Sequence, residues 1–165
     1  MRRTGRACPV RSAHCRHAPL GLDLPGSDVD VLCFAPDAHA FAAIVWHNFS
    51  SAPAFTAKHL TRTPRPVVAS FEVAGWRIEL YGEAIPVEQK RGWRHFAVER
   101  RLLALAGEDL RRPVLAQRQR GMKTEPAFAA ALGPGGDPYL ALLDLGEQDD
   151  DTLIAVLHAA GFAGA

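Results

Sequence analysis

The chain has 165 residues, 48% of them hydrophobic, and a formal net charge of +1 at pH 7. That length suffices for one domain with its own core. The apolar content excludes a disordered chain, and the near-neutral balance excludes nucleic-acid recognition through bulk charge.

Three cysteines, Cys8, Cys15 and Cys33, form no even set and so no disulfide framework; reduced thiols and a cytoplasmic location are expected. Cys8, His14, Cys15 and His17 gather near the N-terminus, but they lack a Cys-x-x-Cys knuckle and a second ligand pair at zinc-finger spacing. Arg2 and Arg3 are not followed by an apolar segment, and no apolar run is long enough to cross a bilayer, so no membrane partner is expected.

In chain order, residues 1–17 are arginine-rich and aperiodic, which predicts an irregular or disordered lead-in. A single domain is expected over 18–165, with a sheet core over about 18–85 and a helical part over about 86–165. The run Gly26-Ser27-Asp28-Val29-Asp30-Val31-Leu32-Cys33-Phe34 reads as a strand. Pro36-Asp37 ends it and opens a helix in which Phe41, Ile44, Val45 and Phe49 recur at helical spacing. Residues 56–66 read as a loop or edge segment carrying Lys58, Arg62 and Arg65.

Val67–Val73 and Trp76–Tyr81 are β runs joined by Ala74-Gly75, a tight hairpin turn. Alternation sets Trp76, Ile78 and Leu80 on one face and Arg77, Glu79 and Tyr81 on the other. From Pro86 the pattern is helical, with Val87, Phe96, Leu102, Leu103 and Leu105 as the apolar stripe of a long helix ending near Gly107. A second helix runs from about Asp109 to Arg120 and stops at Gly121. Lys123-Thr124-Glu125-Pro126 leads into a short apolar helix with Thr124 as its cap. Tyr139–Leu145 is a brief helical turn, and Asp149–Ala160 is a last helix with aspartates at its N-terminus. Strands first and helices afterwards predict an α+β domain, a mixed sheet flanked by helices with a helical C-terminal part.

The Asp28-x-Asp30 pair carries the chemistry. Side chains two apart on a strand share a face, so these carboxylates stand side by side, where they repel and are costly to desolvate unless a cation joins them. Mg²⁺ suits such hard oxygen ligands and commonly arrives with nucleotide phosphates. The alternative is a turn after Pro25-Gly26 with Asp30 on a solvated face.

Several separate motifs occur in one order: Pro19–Phe34, Ile78-Glu79-Leu80-Tyr81-Gly82, Pro86-Val87-Glu88-Gln89, Arg94-His95, Lys123-Thr124-Glu125-Pro126-Ala127-Phe128 and Gly136-Asp137-Pro138-Tyr139. On these motifs the chain, from about Pro19 to Leu145, resembles domain-of-unknown-function family 4269, a bacterial family related to the DNA polymerase beta-like nucleotidyltransferases. The resemblance implies a nucleotidyltransferase-like fold, with Asp28 and Asp30 on the metal strand and a third carboxylate from a neighbouring strand. Glu79 is the candidate for that third carboxylate and Glu72 the alternative; without such a role Glu79 would be a cross-strand partner for an arginine.

By analogy, Asp28, Asp30 and Glu79 would hold two Mg²⁺ ions that take an NTP as substrate. Asp28 and Asp30 would hold the nucleotide-bound metal, and Glu79 would complete the catalytic one and accept the proton of the acceptor hydroxyl. Gly21 and Ser27 belong to the nucleotide side of the motif, and Lys58, Arg62, Arg94 and Lys123 are the candidate phosphate cations. His95 and Tyr139 read as structural groups packing or hydrogen-bonding between helix and sheet.

The sequence departs from the resembling family at one place. A Gly-Ser or Gly-Thr pair is expected about eleven or twelve positions before the first metal aspartate, where backbone amides approach phosphate. Arg16-His17 stands there instead, without the helix that precedes the pair in the family. Two expectations follow: a start that is not the natural one, or a divergent protein with poor NTP turnover. The competing functions are therefore a nucleotidyltransferase with an unknown acceptor, and a weakened or non-enzymatic nucleotide- or partner-binding module of the kind found in toxin–antitoxin pairs. A nuclease-like phosphate-transfer site is a third possibility that the acidic trio does not separate from these.

Overall fold

The computed structural model describes residues 11–14, 20–61, 63, 65–133 and 135–162, with backbone alone for 11–14. The described residues fall into two compact units. A sheet unit holds 11–14 and 26–90, and a helical unit holds 20–25 and 91–162.

The sheet unit is a five-stranded mixed sheet in the order β1-β2-β5-β4-β3. Its strands are β1 (Arg11–His14), β2 (Val29–Phe34), β3 (Thr56–His59), β4 (Val67–Val73) and β5 (Trp76–Glu83). β2 and β5 are parallel, and the other pairs are antiparallel. β1 lies within the segment expected to be irregular. It pairs antiparallel with β2, from Arg11 opposite Phe34 to His14 opposite Val31. Residues 56–59 form the edge strand that their charge and exposure suit.

Helix α1 (Ala38–Phe49) starts at Asp37, whose Oδ1 accepts from the His39 and Ala40 amides at 2.9 Å. Its Phe41 and Val45 pack on Cys33, Val67 and Ala69 to make the core of this unit. The fit is tightest at Gly82, where an added Cβ would come within 2.3 Å of the Phe41 ring. Ala74 and Gly75 turn the β4–β5 hairpin, both at positive φ (50° and 82°), the geometry of a two-residue primed turn.

A short 3-10 turn (Val87–Gln89) follows β5 and delivers Lys90 to Glu83. Lys90 Nζ donates to Glu83 Oε1 at 3.1 Å with both side chains buried, and it also lies 5.4 Å from the Tyr81 ring centre. Cys33 is a buried core residue, as expected; burial pushes its thiol up to about 11, against a smaller opposing effect of Lys90.

The helical unit contains α2 (Arg91–Gln119), α3 (Thr124–Leu132), α4 (Pro138–Gly146) and α5 (Asp150–Ala159). α2 is broken at Gly107 (φ 58°, ψ −138°), so the two helices that the sequence predicts on either side of that glycine are present. α4 is a full nine-residue helix rather than a brief turn, because Asp137 caps it from Oδ1 to the Tyr139 and Leu140 amides. Thr124 does not cap α3. It is buried as the first helical residue, Lys123 holds the cap position without a side-chain bond, and Pro126 falls in the first turn.

Leu20 and Leu22 join this helical core with Phe96, Leu102, Leu110 and Phe128, although their position before the strand suggested the sheet core. Arg111 Nε donates to the Leu20 carbonyl at 3.1 Å and helps hold that segment. Buried His95 links three helices: Nε2 lies 3.0 Å from the Tyr139 carbonyl and Nδ1 3.5 Å from Glu125 Oε1. His95 is thus structural, but it works between helices rather than between helix and sheet.

Candidate active site on the carboxylate face

Alternation along β2 and β5 sets two carboxylates on the face of the sheet opposite α1. Once Val31, Cys33 and Leu80 turn toward α1, Asp30 and Glu79 turn away from it. The parallel register makes Asp30 and Glu79 direct partners, and on the other side of β5 Glu79 is the partner of Ser70. Ser70 in turn faces Thr56, and their hydroxyls lie 2.9 Å apart. One row therefore runs across four strands: Asp30, Glu79, Ser70, Thr56.

Asp28 precedes β2, beside the start of β5, and its Oδ1 lies 3.9 Å from Arg77 Nε. Arg77 is opposite Glu72 across the β4–β5 pair. A second row thus runs Asp28, Arg77, Glu72, one step from the first.

The carboxylates share an electrostatic field. The Glu79 carboxyl is held above the ordinary glutamate range, first by burial and then by the charges of Asp30 and Asp28, while Lys58 and Arg77 partly offset this. Glu79 and Asp30 are half-buried, and Asp28 is exposed. Such a set gains from a divalent cation, which offsets the repulsion that raises Glu79. Among the described residues no three His, Cys, Asp or Glu side chains form a ready-made metal cage. Asp28 leans instead on Arg77. The chemistry of the donor set, carboxylate oxygens, fits Mg²⁺.

The other candidates are distributed as follows. Ser27 is half-buried beside Asp28, and Lys58 on β3 lies within electrostatic reach of Glu79. Gly21 (φ 66°), Arg94 and Lys123 belong to the helical unit. There Arg94 donates to Glu147 Oε1 at 2.7 Å, which uses one end of the guanidinium in a helix–helix ion pair. Arg62, Arg16, His17, Cys8 and Cys15 lie outside the described residues, and His14 is described by its backbone alone. Glu72 sits one row away from Asp30, in register with Arg77, so Glu79 is the carboxylate that β5 sets beside Asp30.

Arg77, Ser70 and Thr56 were not singled out from the sequence as site residues. Alternation does place Arg77 on the Glu79 face. The two hydroxyls carry no sequence signal, because only the strand register brings them into line with Asp30.

The fold is the DNA polymerase beta-like nucleotidyltransferase fold. The chain matches the Cid1 poly(U) polymerase structure with Mg and 3′-dATP bound at a TM-score of 0.51 and 12% identity, over 81% of this chain and 40% of that one. It matches a Cid1 structure with MgGTP bound at 0.51 and 12%, over 81% and 41%. It matches the GLD-2/RNP-8 complex structure at 0.54 and 10%, over 92% and 67%. At these identities the likeness is one of fold, and the chain spans about two fifths of the Cid1 chains it matches. Residues 11–145 match the family described as Domain of unknown function (DUF4269), and the chain belongs to that family. No match was found among the curated proteins. Among the described residues no helix is long and apolar enough to cross a membrane.

Proposed function

We propose that the protein is a Mg²⁺-dependent nucleotidyltransferase that moves a nucleoside monophosphate from an NTP to an acceptor hydroxyl. The observation that carries the reading is the Asp30–Glu79 pair on adjacent parallel strands, with Asp28 near enough to help raise the Glu79 carboxyl. Asp28, Asp30 and Glu79 would hold the metal, which when bound supplies charge stabilisation for the triphosphate and the attacking oxygen. Glu79 would also receive the acceptor's proton. Lys58 offers a cation beside the carboxylates for phosphate charge. The Mg-nucleotide complexes of Cid1 support an NTP as the ligand of this fold.

A second reading, a nucleotide-binding module with little turnover, draws on the Asp28–Arg77 contact and on Arg16-His17 standing where a small pair is expected. One experiment separates the two. Thermal stabilisation by Mg²⁺ plus each NTP is measured beside pyrophosphate release, for the parent protein and for Asp28→Asn and Asp30→Asn. Stabilisation and release that both vanish in the variants support the transferase, and stabilisation without release supports the module. No Mg-dependent response from any NTP sinks both.

A further inference from the structure

A cleft of about 340 Å³ opens on the sheet unit, lined by Ala54, Phe55, Thr56, Ser70, Glu72 and Arg77 among others. It shares residues with both rows of the carboxylate face. Ser70 is the strand partner of Glu79, and Arg77 is the residue against which Asp28 rests. β2 contributes Asp30 on one side of Glu79, so the cleft lies on the other side, toward β4 and β3. If Asp28 and Asp30 face the nucleotide, a second molecule reaches Glu79 from the β4–β3 side.

The lining identifies the chemistry of that molecule. The paired hydroxyls of Ser70 and Thr56 can donate and accept hydrogen bonds, which suits a ligand bearing hydroxyls of its own. Phe55 also lines the cleft, but its ring packs with the core on the α1 side, edge-on to Trp46 at 5.6 Å between ring centres. Phe71, a lining residue as well, stacks on Phe49 at 4.4 Å. The loop that carries Ala54 and Phe55 is tied to β4, since the Glu72 amide donates to the Pro53 carbonyl at 2.8 Å; Ala54 holds a left-handed φ of 54° there. Glu72 and Arg77 are opposite in sign and in register, so the lining carries no net charge to select an ion. The volume lies at the small end of ligand pockets, which span about 300–1,000 Å³, and fits a single small molecule rather than a polymer tract.

We propose that this cleft is the acceptor pocket and that its occupant is a small, uncharged polyhydroxy compound, an inference that rests on the nucleotidyl-transfer reading of the carboxylates. In the transfer, an acceptor oxygen bonds to the α-phosphorus of the NTP and the bond from that phosphorus to the bridging β-phosphate oxygen breaks. Pyrophosphate leaves with the bonding pair, and the hydroxyl proton passes to Glu79. The products are the nucleotidylated compound and pyrophosphate, with no oxidant or reductant required.

The test uses the full chain, Mg²⁺ and α-labelled NTPs with a panel of ribose, glucose, myo-inositol and glycerol, beside a short oligoribonucleotide. Thr56→Trp fills the cleft from an exposed edge-strand position, and Ser70→Ala removes one hydroxyl. Stabilisation by Mg²⁺ plus NTP is measured for every protein. The expected result is label on at least one panel compound and none on the oligonucleotide. Transfer should be lost in Thr56→Trp and lowered roughly tenfold or more in Ser70→Ala, both with the parent's stabilisation by Mg²⁺ plus NTP. Unchanged transfer in Thr56→Trp with that stabilisation intact overturns the cleft alone, as does label on the oligonucleotide only or on no panel compound. A parent protein with no response to Mg²⁺ plus NTP overturns nucleotidyl transfer itself, and the cleft with it.

Discussion

Asp30 and Glu79 are direct partners across the parallel β2–β5 pair, so two half-buried carboxylates share one face of the sheet. The folded chain holds the Glu79 proton more tightly than the unfolded chain does, because burial, then Asp30, then Asp28 disfavour its charged form. Its favourable contribution to stability is therefore complete below the ordinary glutamate range and is lost as pH rises through the raised value. Without metal, melting temperature should fall across that window, and Glu79→Gln should remove the fall and melt higher than the parent at neutral pH. Mg²⁺ should raise the melting temperature of the parent more than that of the variant. Melts against pH with and without Mg²⁺ check this; a Glu79→Gln protein that melts below the parent at neutral pH without metal would contradict it.

Gly82 on β5 faces the Phe41 ring with no room for a methyl group. Both are held on opposite sides of the contact, the glycine by strand pairing and the ring by the core of the sheet unit. Gly82→Ala should lower stability by about 1–3 kcal/mol as an overpacked core contact. Phe41→Leu in the same chain should recover part of the loss, a coupling between neighbours that urea denaturation of the four proteins measures. Additive losses would show that the ring is free to move aside.

The parts of this molecule that repeat with a period were legible in the sequence. Alternation along the β2 run puts Asp28 and Asp30 on one face, Ala74-Gly75 reads as the hairpin turn, and Gly107 marks the break between two helices. Features that depend on register or on distant pairing were not legible. Arg11–His14 has no apolar period yet pairs with β2, and Leu20 and Leu22 precede a strand yet are buried with helices. The pairing of Arg94 with Glu147, 53 residues away in the sequence, has no local signal. The Ser70–Thr56 row needed two strand registers at once.

Lys90 and Glu83 form an ion pair with side-chain exposures of 2% and 6%, so neither charge has water to turn to when the other is removed. Lys90→Met should destabilise the protein by about 3–5 kcal/mol, because it leaves the Glu83 carboxylate buried without its cation. Lys90→Met with Glu83→Gln should recover much of that loss, since no uncompensated charge remains. Chemical denaturation of the single and double variants checks the pair; equal stability of the parent and Lys90→Met would show that solvent reaches Glu83.

Ala74 holds a left-handed φ of 50° at the first turn position of the β4–β5 hairpin, where a Cβ is unfavourable and Gly75 already supplies the second position. Asparagine adopts this region more readily because its short side chain hydrogen-bonds locally, and Asn-Gly is a favoured pair for such turns. The flanking residues Val73 and Trp76 are exposed partners, so the substitution meets no core contact. Ala74→Asn should therefore stabilise the sheet by about 0.5–1 kcal/mol and raise the urea midpoint without changing the slope. It should also leave nucleotide-dependent stabilisation unaltered, because Ala74 lies at the hairpin tip, outside the row of Asp30, Glu79, Ser70 and Thr56. A lower midpoint would mean that the hairpin does not use this turn.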